Sequence, residues 1–200
     1  GGTHWGIHAE YVDSLDVVGN TVQNLNVAAD AYPSDDFGGI ALLGYLDRFV
    51  RVVGNVVRAI TGHGIVIDHY GVTAQVDSNV VSQTSGAGIN YLHPTARITR
   101  NLITGARGDG IRVAGNDASE SQVTGNNFVG NRPFGMEVVY WNTQNVYASG
   151  NWWGDANGPK SDTAACSTGQ GDKVTSGVIF RPMLTDALTT RPFPLSAASI

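Results

Sequence analysis

The sequence predicts an all-β fold, a single-stranded right-handed parallel β-helix of at least six coils with a C-terminal capping segment. Three observations predict it. Asparagines recur at Asn20, Asn55, Asn79, Asn101, Asn126 and Asn151, four of them preceded by glycine, at steps of 35, 24, 22, 25 and 25 residues, and a period of that size marks a solenoid. The flanking columns are apolar: Val17, Val52, Val76, Ile98, Val123 and Ala148 three residues before, and Val22, Val57, Val81, Ile103, Phe128 and Trp153 two residues after. Each unit also carries a Gly followed by an aliphatic residue, ending at Ile7, Ile40, Ile65, Ile89, Ile111 and Met136. The last four of these stand 10 residues after an asparagine and Ile40 stands 20 after, so one connection is constant in length and one copy of it holds an insertion.

Units of this size are too short for two helices with turns, and their Val, Ile and Thr runs alternate with period two, as strands do. The spaced leucines of a leucine-rich horseshoe are missing. Stacking such coils at strand spacing, roughly 4.8 Å, turns the aliphatic columns into a core. The asparagines are expected to take the left-handed corner and to bond one another through their amides, a structural role.

Taken in order, the first unit runs from Gly1 to Asn24 and leads into the insertion, Leu25 to Gly38, whose Pro33 and Asp35-Asp36 mark a surface excursion. In the units that follow, Ile40, Ile65 and Ile89 are expected to face inward with Leu42, Ile67 and Tyr91, and the residues between them to face out. That outward strip reads His8, Ala41, Val66, Asn90, Arg112 and Glu137, then Glu10, Leu43, Asp68, Leu92, Ala114 and Val139. Half are apolar, which fits a covered or binding face better than a solvated one. Arg112 and Glu137 share a position in adjacent coils and are expected to pair across the strands. Beyond the strip lies a corner of Tyr11, Gly44, His69, His93, Gly115 and Tyr140, followed by Val12, Tyr45, Tyr70, Pro94, Asn116 and Trp141. From Asn151 the pattern closes, with Trp152 and Trp153 covering the columns and Gly158-Pro159 turning the chain out. Residues 1–154 are thus read as coils and 155–200 as cap and tail of the same domain.

Charged residues make up 14% of the chain and the net charge is −5 without a basic cluster, so no nucleic-acid partner is expected. No apolar run is long enough to span a bilayer. The single cysteine, Cys166, excludes an internal disulfide. The chain opens inside the lead-in to Ile7, and is read as part of a longer protein with further domains and an export signal upstream.

Asn151-Trp152-Trp153-Gly154, Gly158-Pro159, Gly169-Gln170-Gly171-Asp172-Lys173-Val174 and Phe180-Arg181-Pro182-Met183-Leu184 resemble the closing motif of secreted bacterial right-handed parallel β-helix repeat proteins. The last element usually reads Pro-Trp-Leu there, and Met183 replaces the tryptophan. The resemblance implies a pectate-lyase-like solenoid and an extracellular or cell-surface location. For activity it implies little, since the group includes polysaccharide lyases, hydrolases, epimerases and adhesin stalks. The chain is similar only in part to polygalacturonases: Asp35-Asp36, Gly62-His63-Gly64 and Arg112 occur in their order, but Trp5 and Ala114 stand where an acid and a lysine are expected.

Candidate catalytic residues are His63, Asp68, Asp109, Arg112 and Glu137. The three carboxylates fall in different columns and coils, so no acid–base pair is expected from them, and a binding role without catalysis is favoured over a polysaccharide-active enzyme. The candidate carbohydrate-binding residues are His69, Tyr70, His93, Tyr140 and Trp141, flat amphipathic side chains suited to stacking on pyranose rings of a polysaccharide or cell-surface glycan. No cofactor or metal site is expected: zinc-ligand spacing and calcium-binding nonapeptides are absent, although Asp155 and Asn157 offer oxygen ligands.

Overall fold

A computed structural model describes residues 5–26, 37–45, 49–70, 73–92, 95–115, 121–139, 145–161 and 168–189, and of Tyr45, His69 and Tyr70 the backbone. Most of the insertion after Leu25 lies outside these residues. The first coil holds β1 (Trp5–Glu10), β2 (Ser14–Val18) and β3 (Thr21–Leu25), and the second β4 (Gly38–Tyr45), β5 (Phe49–Val53) and β6 (Val56–Ile60). The third has β7 (His63–Tyr70), β8 (Ala74–Asp77) and β9 (Val80–Thr84), and the fourth β10 (Ile89–Leu92), β11 (Ala96–Thr99) and β12 (Leu102–Thr104). The fifth has β13 (Ile111–Ala114), β14 (Gln122–Thr124) and β15 (Asn127–Val129), and the sixth β16 (Met136–Val138) and β17 (Val146–Tyr147). The closing segment adds β18 (Pro159–Ser161), β19 (Gly171–Val174) and β20 (Val178–Ile179).

These strands form three parallel sheets, the first five coils giving one strand to each, the sixth coil one to sheets A and B, and the closing segment two to A and one to B. Sheet A runs β1-β4-β7-β10-β13-β16-β19-β18, sheet B β2-β5-β8-β11-β14-β17-β20, and sheet C β3-β6-β9-β12-β15. The protein is a right-handed parallel β-helix. Register follows the repeat, with Ile7, Ile40, Ile65, Ile89, Ile111 and Met136 opposite one another in turn. From Ile40 to Met136 this column is fully buried, and it joins the sheet B column through Val52, Val76, Ile98 and Val123 and the sheet C column through Val57, Val81, Ile103 and Phe128 in one core. In the first coil, Ile7, Leu15, Val22 and Leu25 are only partly buried, since no described strand pairs beyond it.

The glycine of each Gly-aliphatic pair has a steric cause. A Cβ on Gly39 would sit 2.6 Å from Val57 Cγ1 and 2.9 Å from the Gly64 carbonyl oxygen, and one on Gly64 would overlap both Val81 Cγ1 and the Gly88 oxygen. Glycine is therefore required where sheet C turns into sheet A, and its missing side chain would have pointed inward.

The asparagines form the expected ladder. Each Oδ1 accepts the backbone N–H and the side-chain amide of the preceding coil's asparagine: Asn55 Oδ1 from Asn20, Asn79 from Asn55, Asn101 from Asn79, Asn126 from Asn101 and Asn151 from Asn126, at 2.8–3.1 Å. The left-handed corner, however, falls one residue earlier than expected. Gly19, Gly54, Ser78, Arg100, Gly125 and Gly150 carry the positive φ. This division of labour explains the Gly-Asn dipeptide: one residue makes the corner and the next turns its amide inward.

At the closing end Trp153 is fully buried and stacked on Phe128, with ring centroids 4.5 Å apart. Asp172 accepts from the Gly130 and Asn131 amides and from Asn131 Nδ2. Residues 182–188 then strap across the coils, bonding Gly150, Asn151 and Asn127.

Candidate functional site

The residues between Ile40 and Leu42 and their equivalents are expected to face outward, on a strip whose apolar half fits a covered or binding face. Ala41, Val66 and Asn90 are fully buried, and Leu92 and Ala114 nearly so, so much of the outer face of sheet A is covered rather than solvated. Towards β13 and β16 this face carries charge. Arg112 lies opposite Glu137, as predicted, with Nε 3.6 Å from Glu137 Oε2, and Arg112 Nη1 reaches Asn90 Oδ1 at 3.4 Å. The Arg112 and Glu137 side chains remain 22% and 26% exposed.

The expectation that the carboxylates are scattered is overturned at this place. Asp109 precedes Gly110-Ile111, and both of these turn toward the core: Ile111 is buried and a Cβ on Gly110 would meet Phe128 and Asn131. With two consecutive inward positions, residues three apart share the outer face, so Asp109 stands beside Arg112. The same offset stacks Trp5 on His8 in the first coil at 4.1 Å. Glu137 lies near enough to act on the Asp109 carboxyl through charge and hydrogen bonding. Asp109 is 6% exposed, and its Oδ1 has no partner among the described residues. Burial, then the charge of Glu137 and hydrogen bonding to it, raise the Asp109 carboxyl from 3.8 to about 7, only partly opposed by the Phe134 amide and the Arg112 guanidinium. One coil further on, Lys173 Nζ lies 5.5 Å from the Phe134 ring centre.

The other catalytic candidates stand apart. His63 shares the Asp109 column two coils away, about 10 Å at strand spacing, and its Nδ1 accepts the Ala87 amide at 2.9 Å. Asp68, opposite Leu43 and Leu92, lies two coils from Arg112 and one column across. Asn90 joins the cluster although its sequence position alone gave no reason to single it out.

Of the aromatic corner, the backbone register pairs Gly44 with His69 and Tyr45 with Tyr70 as predicted. The side chains of His69 and Tyr70, and His93, Tyr140 and Trp141 altogether, lie outside the described residues. Tyr11, in the same corner, is 72% exposed, with its ring against Gly44.

A second surface feature lies where sheet C turns into sheet A. Asn26, Thr61, Ser85 and Arg107 occupy equivalent places in four successive coils, and with Gln83 they line a groove of about 400 Å³. Residues of this kind form no periodic apolar signal, which is why the groove escaped the sequence reading.

Stacked parallel coils with a polar groove along the axis and an acid pair on one face define a β-helix repeat module. The family described as "Periplasmic copper-binding protein (NosD)" matches residues 1–158, and the chain belongs to that family. Its location is accordingly outside the cytoplasm, as the closing motif implied. No curated protein and no solved structure matches the chain.

Proposed function

We propose that this chain is an exported glycan-binding module that holds an extended polysaccharide along the solenoid axis. The observation that carries this is the groove crossing four coils: an extended polymer needs a linear site, and the Asn26 and Gln83 amides, the Thr61 and Ser85 hydroxyls and the Arg107 guanidinium offer donors and acceptors matched to sugar hydroxyls and to an acidic substituent. The corner of Tyr11, His69, Tyr70, His93, Tyr140 and Trp141 is the alternative contact line, favoured by the exposure of Tyr11. Copper is the ligand in the family's description, and the described residues do not suit it. No group of three or more His, Cys, Asp or Glu among them is placed to hold a metal ion. His8 is engaged with Glu10, and His63 with the Ala87 amide on another coil.

Retention on pectate, alginate, xylan and neutral glucans tests the proposal. Delayed elution on at least one polymer is expected, weakened by Thr61→Ala plus Arg107→Ala. If Tyr11→Ala or Tyr140→Ala plus Trp141→Ala abolishes retention while the groove variant does not, the polymer lies on the corner instead. No retention on any polymer overturns the glycan reading.

A further inference from the structure

We propose that the groove at the turn from sheet C to sheet A takes an acidic polysaccharide, whose carboxylate or sulfate groups lie against Arg107 and Arg132. This deepens the glycan reading above and rests on it. Register carries the first part of the argument. The backbone N–H groups of Thr61, Ser85, Arg107 and Arg132 donate to the carbonyls of Leu25, Ile60, Thr84 and Ala106, so the four residues hold one position in successive coils. Arg132 therefore continues the column one coil beyond the lining of the groove, about 4.8 Å from Arg107 along the axis. The column is polarised, with hydroxyls toward the opening end and guanidiniums toward the closing end.

These two arginines differ from the others of the coils. Arg51, Arg100 and Arg112 face Asp16, Asp77 and Glu137, and Arg58 and Arg97 bond glutamines. Arg107 and Arg132 are exposed, and among the described residues neither makes a side-chain hydrogen bond or an ion pair. Asp172 acts on Arg132 through its charge, but both its oxygens are taken by Gly130 and Asn131. Like charges facing each other on adjacent strands repel, and an oxyanion between them removes that cost while accepting forked bonds from both guanidiniums. There is room for one. A left-handed corner lies two residues before each member of the column, at Ala59, Gln83, Gly105 and Gly130. Ala59 and Gln83 line the groove with side chains, whereas a Cβ on Gly105 or Gly130 would meet nothing within 4 Å, so the surface beside each arginine is open. The net charge of −5 repels a polyanion at a distance, so its retention requires a local cationic site of this kind.

The test follows retention of the 200-residue chain on pectate, fully methyl-esterified pectin, a sulfated galactan and the same galactan desulfated, at low and high salt. Retention on pectate, on the sulfated galactan or on both is expected, weaker on the uncharged counterparts and reduced by salt. Retention on pectate alone assigns a carboxylate, and retention on the sulfated galactan alone a sulfate ester. Arg107→Ala should weaken it at least about tenfold, and Arg107→Lys less, since lysine keeps the charge without the fork. Arg51→Ala removes the same charge from sheet B and should leave retention unchanged. Should Arg107→Ala fail to fold by circular dichroism, Arg107→Lys and Arg132→Ala decide. Equal retention on charged and uncharged polymers, or retention that survives Arg107→Ala plus Arg132→Ala, overturns the acidic ligand and leaves the glycan reading intact. Retention on none of the four polymers or the neutral glucans overturns both.

Discussion

Asp109 is a buried carboxyl that ties the stability of the fold to pH. In the unfolded chain its carboxyl titrates near 3.8 and in the folded protein near 7, so between those values the folded state binds the extra proton. Stability from this group is therefore greatest at acid pH and lost as pH rises through about 7. Asp109→Asn should match the unaltered protein near pH 4 and melt several degrees above it at pH 8. Asp172, also raised by burial, is present in both proteins and drops out of the difference. A melting difference that does not grow between pH 4 and pH 8 would falsify the assignment of Asp109 as a strained acid. Whether the sequence showed this cluster depends on direction rather than spacing. Arg112 opposite Glu137 follows from counting, because parallel stacking fixes register once a corner repeats. Asp109 beside Arg112 does not, since alternation places residues three apart on opposite faces. The signal was present in the Gly110-Ile111 pair, because a glycine kept free of a Cβ on the inner side lets two successive residues turn inward.

At the scale of the repeating element, the cost of a change depends on how many backbone groups it orphans. Asn79 Oδ1 accepts two donors from Asn55, and its amide donates to Asn101 and to the Val52 carbonyl. Asn79→Ala leaves these buried groups unpaired, and a loss of about 3 kcal/mol or more is expected from the denaturant midpoint. An exposed position in the same sheets, such as Gln122, should tolerate alanine within about 0.5 kcal/mol. Gly64→Ala meets a carbonyl oxygen as well as a valine, so trimming the side chain with Val81→Ala should not restore stability. Recovery in that double variant would show that the column glycine answers to packing alone. The corner residues preceding the asparagines were assigned one place too late in the sequence reading because asparagine and glycine both tolerate a left-handed backbone. Ser78 and Arg100, which break the Gly-Asn pattern and still carry positive φ, show which position bends.

For the whole molecule, protection should be uneven along the axis. The coils from β4 to β13 carry the fully buried columns, while in the first coil Val17 is buried but Ile7, Leu15, Val22 and Leu25 are partly exposed. Amides of β1 and β3 should exchange well before those of β10 and β12, and uniform protection would mean the solenoid opens only as one unit. At the other end Trp153→Ala removes the ring that closes the core against Phe128, for a loss of about 3–5 kcal/mol in an unfolding titration. The closing segment was visible in the sequence through Trp152, Trp153, Gly158-Pro159 and Pro182-Met183-Leu184, but the path of 182–188 across the coils was not, since it bonds through backbone groups that any residue could supply.

The asparagine ladder has one more consequence. Between asparagines every link runs the same way, each giving a hydrogen to the next toward the closing end and accepting from the one before, while a second amide hydrogen returns to a carbonyl of the preceding coil, so the row is a vector rather than a mere stack of links. A vector of this kind cannot be extended by a coil presented upside down, and two such modules cannot meet head to head through it. It also makes register collective: sliding one coil by a single residue replaces an asparagine by its neighbour and severs the chain of donors on both sides at once. Assembly is thereby proofread at each turn, with a slipped coil detected by the buried amides it strands rather than by the apolar columns, whose aliphatic residues would tolerate the slip far better.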